Sequence, residues 1–423
     1  MHHPTLTDTD NALLRGAGGG AAQLAMRLIV RLARALDAPA LRDITRAHID
    51  GCLYHGQASL DFAERLVALG GQVRVPTTLN VSSLDLLHPA RYRGDAATGT
   101  AARRLMDAYV ALGCRATWTC APYQLPDRPA FGEHIAWAES NAIVFANSVL
   151  GARTNRYGDF IDICAALTGR VPDSGLHRDE ERRGRILFTL RGLPDRLLSE
   201  DILYPILGHL VGLETGTAIP VIDGLPATAT EDQLKAFGAA AASSGAVALF
   251  HIVGRTPEAS TLAAALGGGE PERTVAITPA TLAAARDALT TATTPKLDAV
   301  SLGTPHFSLA EFAQLMPLLD GVRVAPNTEF YISTGRHILA ELEQRGWRDP
   351  CERAGVRFVV DTCTYITPIL RERARVAMTN SAKWAYYAPG NLGLDVVFGS
   401  LRECVESAVR GEVWRDRDLW ADL

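Results

Sequence analysis

Leu24, Leu28, Ile29, Leu32 and Leu36 recur at three- and four-residue spacing over residues 21–36, which predicts a helix with one buried stripe. Upstream of it, Thr7-Asp8-Thr9-Asp10 offers a helix cap and Gly16 to Gly20 a break. A second helix is expected from about Ser59 to Leu69, then a strand over 72–75 that ends at Pro76. From Arg185 onward the period changes. Short apolar runs at 186–190, 219–222, 247–253, 274–277, 297–302, 322–325, 358–360 and 376–378 alternate with helical stretches such as 199–213 and 231–242. Unbroken apolar runs separated by helices read as parallel strands covered on both faces.

The expected fold is therefore α/β and multidomain, built of parallel, doubly wound layers. A chain of 423 residues with 47% apolar residues can fill two or three cores. The expected divisions are 1–185, 186–295 and 296–423.

Polar residues recur just after the predicted strands: Gly303-Thr304-Pro305-His306, Asn327-Thr328-Glu329, Asp361-Thr362-Cys363 and Thr379-Asn380-Ser381-Ala382-Lys383. Ligands of open α/β sheets bind outside the carboxyl ends of the strands, so these four loops can serve one site. Helix capping accounts for Thr304 and Ser381, but for neither Cys363 nor Lys383.

The densest chemistry lies between Trp118 and Asn155. Cys120 precedes Ala121-Pro122 and is expected on a loop, where a thiol can reach a metal. Glu139, Ser140 and Asn141 interrupt an apolar segment, so they either cap a helix or belong to a site. Asn147, Ser148 and Asn155 raise the same two possibilities. His48, Asp50, Cys52 and His55 match no zinc spacing. His48 and His88 read as hydrogen-bonded core residues, while His55, between Tyr54 and Gly56, reads equally as a site residue or not.

A net charge of −5 gives no basic excess, which argues against nucleic acid or an anionic membrane as partner and for a small polar substrate. No window is long and apolar enough to span a bilayer and no secretory signal opens the chain, so a cytoplasmic protein is expected. Seven cysteines without a CxxC pair read as buried thiols or metal ligands rather than a disulfide framework. No GxGxxG or GxxxxGK[ST] phosphate loop is present, and Gly267-Gly268-Gly269 reads as a turn.

The segments DGCLYHG (50–56), RVPTTLNV (74–81), TCAPYQ (119–124) and AESNAIVFANSVLGARTNRYGD (138–159) resemble aconitase X. So do GTPHFSLAE (303–311), DTC (361–363), TNSAKWAYY (379–387) and FGSLRECV (398–405), and the similarity runs over nearly the whole chain. The resemblance implies layers of the aconitase-superfamily type and a lyase that dehydrates a small hydroxy acid at an iron-sulfur cluster. Bacterial members of the family act on cis-3-hydroxy-L-proline and archaeal ones on mevalonate 5-phosphate. It also implies a heteromer: the family's catalytic serine is carried by a small subunit or fused domain, so this chain is expected to be a large subunit.

Where archaeal members read LGCPH, this chain has Leu302-Gly303-Thr304-Pro305-His306, one thiolate fewer. Cys120, Cys363 and, as third candidate, Cys52 are then the expected metal ligands, and a 2Fe-2S cluster is favoured over a larger one. Cys114, Cys164, Cys351 and Cys404 are expected in the core. Amide and hydroxyl groups would hold the substrate, with His55, Thr78, Asn80, Ser140, Asn141, Arg153, Thr154, Asn155, Asn380 and Ser381 as candidates. Lys383 would bind the carboxylate or donate a proton, and Glu139 is the base if the base lies in this chain. A phosphomevalonate dehydratase subunit and an iron-sensing, RNA-binding protein are the alternatives; Thr304 weighs against the first and the acidic balance against the second.

Overall fold

The computed structural model describes residues 3–421, which fold as two compact units. Unit 1 comprises residues 3–84 and 95–183, and unit 2 comprises 85–94 and 184–421.

Unit 1 opens with the helix Asp8–Leu14, where Thr7 and Asp10 form a capping box, followed by the helix Gly19–Ala35. Its buried stripe runs through Ala22, Met26, Ile29 and Ala33, so of the expected stripe only Ile29 is buried, with Leu24, Leu28 and Leu32 half-buried and Leu36 exposed. Its strands are β1 (Leu41–Asp43), β2 (Ala47–Ile49), β3 (Thr77–Leu79), β4 (Ala136–Trp137) and β5 (Arg170–Pro172). β3, β2 and β4 form a parallel sheet in that order, whereas β1 and β5 pair antiparallel, an exception to the expected all-parallel layers. The expected strand at 72–75 is displaced past the proline to β3. Val73 N bonds Leu112 O and Arg74 N bonds Ala166 O instead of a ladder, and Pro76 has no N–H to continue one.

In unit 2, β6 (Ile186–Thr189), β7 (Pro220–Asp223), β8 (His251–Ile252) and β9 (Arg273–Ala276) form a parallel sheet ordered β8-β7-β6-β9. The expected helix at 199–213 is two, Asp195–Ser199 and Leu203–Thr215. Gly208 and Gly212 of the latter face Phe237 and Ala241 of the helix Glu231–Ser244, leaving no room for a Cβ.

The larger sheet holds β10 (Ala299–Phe307), β11 (Glu329–Thr334), β12 (Val356–Val359), β13 (Val376–Thr379) and β14 (Asp395–Phe398), ordered β12-β11-β10-β13-β14 and parallel throughout. From β10 the chain winds outward to β12, then returns to β13 on the other side of β10. The winding therefore reverses between β10 and β13, which places a ligand crevice at their carboxyl ends.

Two expectations change here. Residues 322–325 are not a strand, because Val324 N and Ala325 N bond Ala354 O and Ala408 O outside any sheet. The strand begins at Glu329, so Asn327-Thr328-Glu329 lies at the amino end, away from the crevice. Gly303 to His306 do not follow β10 but sit inside it, where the register with β11 shifts between Leu302 and Phe307.

Candidate active site

At the β10/β13 crossover, Gly303 takes φ +85°, and a Cβ there would lie 2.0 Å from Ser333 O, so only glycine fits. The bend brings Thr304 and His306 to the crevice. The Ser381 hydroxyl, which also caps the helix Ala382–Leu392 by accepting from Trp384 N at 3.1 Å, donates to Thr304 O and ties β10 to the segment after β13. Thr304 Oγ1 is buried without a partner and lines a cavity of about 40 Å³ with Lys235, Glu311, Asn380 and Ser381. Asn380 and Glu311 also line a neighbouring cleft of about 920 Å³.

Behind the cavity, the Lys235 ammonium lies 2.8 Å from Asp232 and also contacts Glu311. Burial raises Glu311 to about 7 in spite of that partner, and the two carboxylates hold Lys235 above its ordinary value.

His306 is fully buried, with Nε2 3.3 Å from Thr362 O. Burial pushes it down to about 3, with the cations Lys235 and Lys383 adding to the shift, so the imidazole is neutral, as a metal requires. Cys363 Sγ lies within 4.8 Å of a His306 ring nitrogen. Cys363 is presented by a turn in which Asp361, at φ +64°, is gripped by Arg336 through two bonds of 2.6 Å. Lys383 is buried in the first turn of the helix after β13. A buried thiol beside a neutral imidazole is a donor pair suited to iron.

In unit 1, Cys120 is buried and its carbonyl accepts from Asn141 Nδ2 at 2.9 Å. Asn141 Oδ1 accepts from Tyr123 OH at 2.6 Å. Glu139, at φ +74°, caps the short helix Ser140–Phe145, accepting from Ala142 N at 2.8 Å, from Asn141 Nδ2 and from Ser140 Oγ at 3.2 Å. Capping and site, alternatives in the sequence, are one arrangement: the strained cap aims Asn141 at the Cys120 loop.

Other expected residues are placed differently. Cys52 Sγ points at Ile49 O, Asn80 O and Val81 O at 3.5, 3.4 and 3.8 Å. Burial raises its pKa well above the ordinary value, and among the described residues it joins no group of three His, Cys, Asp or Glu side chains able to hold a metal ion. These surroundings suit a protonated thiol and not a ligand. The Thr154 hydroxyl accepts from Trp137 N, and the Asn155 amide joins Leu176 N to Ser174 O, so both are committed to backbone rather than to a substrate. Arg153 pairs with Asp179, Thr78 bonds His48 and His55 is exposed.

Asn80 bonds Asp50, whose carboxyl is raised to about 8 by burial and by nearby Glu139. Asp162, fully buried, accepts from Asp50 N and Gly51 N at 2.8 and 3.0 Å and fixes the 50–56 loop. Sequence reasoning did not single out His306, although its place two residues after Thr304 in the GTPH stretch was the available signal. The role of Asp162 carried none.

Thus the fold is a multidomain parallel α/β enzyme fold with its crevice at a sheet crossover. Profiles of the aconitase X first, second and third domains match residues 3–180, 184–287 and 297–410. The chain belongs to the aconitase X family. It is 48% identical to the cis-3-hydroxy-L-proline dehydratase of Pseudomonas aeruginosa, over 96% of this chain and 70% of that protein. To the enzyme of the same name from Hypocrea jecorina it is 43% identical, over 96% and 69%. The phosphomevalonate dehydratase large subunit of Methanothermobacter thermautotrophicus is 36% identical, over 93% and 96%. The crystal structure of Thermococcus kodakaraensis aconitase X in its holo-form superposes with a TM-score of 0.86 at 30% identity, covering 96% of this chain and all of that one. The first three of these relatives are named as dehydratases or a dehydratase subunit, and the chain is a hydro-lyase.

Proposed function

We propose that the chain is the large subunit of a two-subunit dehydratase that removes water from cis-3-hydroxy-L-proline to give 1-pyrroline-2-carboxylate. The observation that carries this reading is the 48% and 43% identity to two enzymes of that name, against 36% for the phosphomevalonate dehydratase subunit. Assignment as a large subunit is supported by the 36% identity to an archaeal phosphomevalonate dehydratase large subunit, matched over 96% of that protein.

Cys120 and Cys363, with His306 beside Cys363, are the residues we assign to an iron-sulfur cluster, and two thiolates with Thr304 in place of a third favour a 2Fe-2S form. When bound, such a cluster supplies a Lewis acid for the departing hydroxide. Lys383 binds the substrate carboxylate and Asn380 orients the ring by hydrogen bonding, while Ser381 and Asn141, whose side chains are bonded within the protein, position the Thr304 and Cys120 segments. A serine of the small subunit takes the Cα proton, the C3 hydroxyl leaves as water, and the resulting enamine tautomerises to the imine. Burial of Lys383 strengthens its grip, because a charge in a dry site is little screened.

Assaying the chain with and without a co-expressed small subunit tests the proposal. Turnover of cis-3-hydroxy-L-proline is expected only from the pair. Full turnover by this chain alone would move the base to Glu139, and turnover of mevalonate 5-phosphate instead would overturn the substrate.

A further inference from the structure

In unit 2, Arg93, Arg357 and Arg371 gather around Glu329, which opens β11 at the amino-terminal end of the larger sheet, and Arg91 lies near Arg357 and Asp85. Arg93 and Arg357 both bond Glu329 Oε1, at 3.1 and 2.8 Å, and Arg357 also reaches Tyr331 OH at 3.3 Å. The other oxygen of Glu329 accepts from Arg371 N at 3.0 Å, while the Arg371 guanidinium bonds the carbonyls of Asp298 and Asn327, and its Nε is buried without an acceptor.

Arg91 is the least satisfied of the four. Its nearest carboxylate is Asp85, at 3.8 Å. Asp85 is already saturated by Leu87 N, His88 N, His88 Nδ1 and Val360 N at 2.8–3.2 Å, so it offers Arg91 charge but no acceptor. Arg91 Nη1 is accordingly buried without a hydrogen bond. Glu352, the remaining carboxylate within electrostatic reach of Arg91, is bonded to Arg348 at 3.0 Å. Burial and the neighbouring Arg357 both pull Arg91 below its ordinary value, as expected for a cation short of partners.

Three guanidinium groups, those of Arg91, Arg93 and Arg357, therefore share the carboxylates of Glu329 and Asp85, and buried donors of Arg91 and Arg371 lack acceptors. A buried, unsatisfied, charged donor is costly and calls for an outside acceptor. We propose that Arg91, Arg93 and Arg357 form a binding site for a phosphate dianion, free or as a terminal ester, distinct from the active-site crevice. The dianion matches the excess positive charge, and its oxygens accept the forked donors that Asp85 and Glu329 leave over.

Calorimetric titration of the full chain with inorganic phosphate, and separately with methyl phosphate, at fixed ionic strength tests the site. Saturable binding of one equivalent is expected, with affinity about tenfold weaker in Arg91→Gln, the loss of one charge-assisted bond. Binding of inorganic phosphate alone identifies the free ion as ligand, and binding of both admits esters. Arg357→Lys, which keeps the charge but loses the fork, is expected to weaken binding as well and serves if Arg91→Gln does not fold. No saturable binding by the natural chain, or equal affinity in both variants, would overturn the site.

Discussion

Cys52 and Cys363 are equally buried, yet their thiols meet opposite surroundings. Carbonyl oxygens around Cys52 favour the protonated sulfur, whereas Cys363 faces a neutral imidazole. Serine in place of Cys120 or of Cys363 should abolish the visible absorption of the purified holoprotein and most of its iron, while Cys52→Ala and Cys404→Ala keep both. Unchanged iron in Cys363→Ser would remove that residue from the ligand set.

A second pair of residues should contribute to sensitivity to acid. Arg42 can only donate, so its 3.3 Å contact with His134 Nε2 places the His134 proton on Nδ1. That proton bonds His177 Nδ1 at 3.0 Å, and His177 Nε2–H then faces the Tyr157 oxygen at 2.6 Å. Both rings must be neutral, and burial, reinforced by nearby arginines, lowers His134 to about 4 and His177 to about 3. The unfolded chain takes up these protons near pH 6.5 and the folded one does not. Their contribution to stability is therefore complete above about pH 6.5 and is lost as pH falls toward 4. Urea midpoints measured across that range should drop less steeply in His177→Gln; equal slopes would exclude the pair as the source.

Among the elements, β10 depends most on one residue. Gly303 combines a positive φ with a 2.0 Å approach of its would-be Cβ to Ser333 O, so Gly303→Ala should cost roughly 2–4 kcal/mol in chemical unfolding and disturb iron binding as His306 shifts. Gly390, in the helix Ala382–Leu392, has open space where a Cβ would go, and Gly390→Ala should gain about 0.5–1 kcal/mol. Equal effects at the two positions would refute the packing argument. Helices with strong periodicity, such as Gly19–Ala35 and Glu231–Ser244, were legible within two residues of their ends. Strands of two to four residues were not, because Gln72 to Val75 and Val322 to Ala325 carry the same apolar signal as a true strand and differ only in what lies beside them.

For the whole molecule, a metal that binds only the folded chain stabilises it by mass action, so if the proposed cluster is present, chelating its iron should lower the calorimetric melting temperature on the order of 5 °C. An unchanged melting temperature after verified loss of iron would separate the cluster from stability. Among the described residues no helix is long and apolar enough to cross a membrane.

Sequence alone determined the alternating α/β order, three of the four polar stretches expected at the crevice and, through long motifs, the family. These are local properties: period, turn chemistry and residue type are written in consecutive positions. Tertiary structure decided which polar residues are spent. Thr154, Asn155 and Asn141 stand in one motif, but the first two are bonded to Trp137, Ser174 and Leu176, whereas Asn141 is bonded to the Cys120 carbonyl and Tyr123. Cys52 and Cys363 are both cysteines in family motifs, and only the carbonyls and imidazole packed around them distinguish the one from the thiol proposed as a ligand. Burial and hydrogen-bond partners set a side chain's chemistry, and both are supplied by residues distant in the chain.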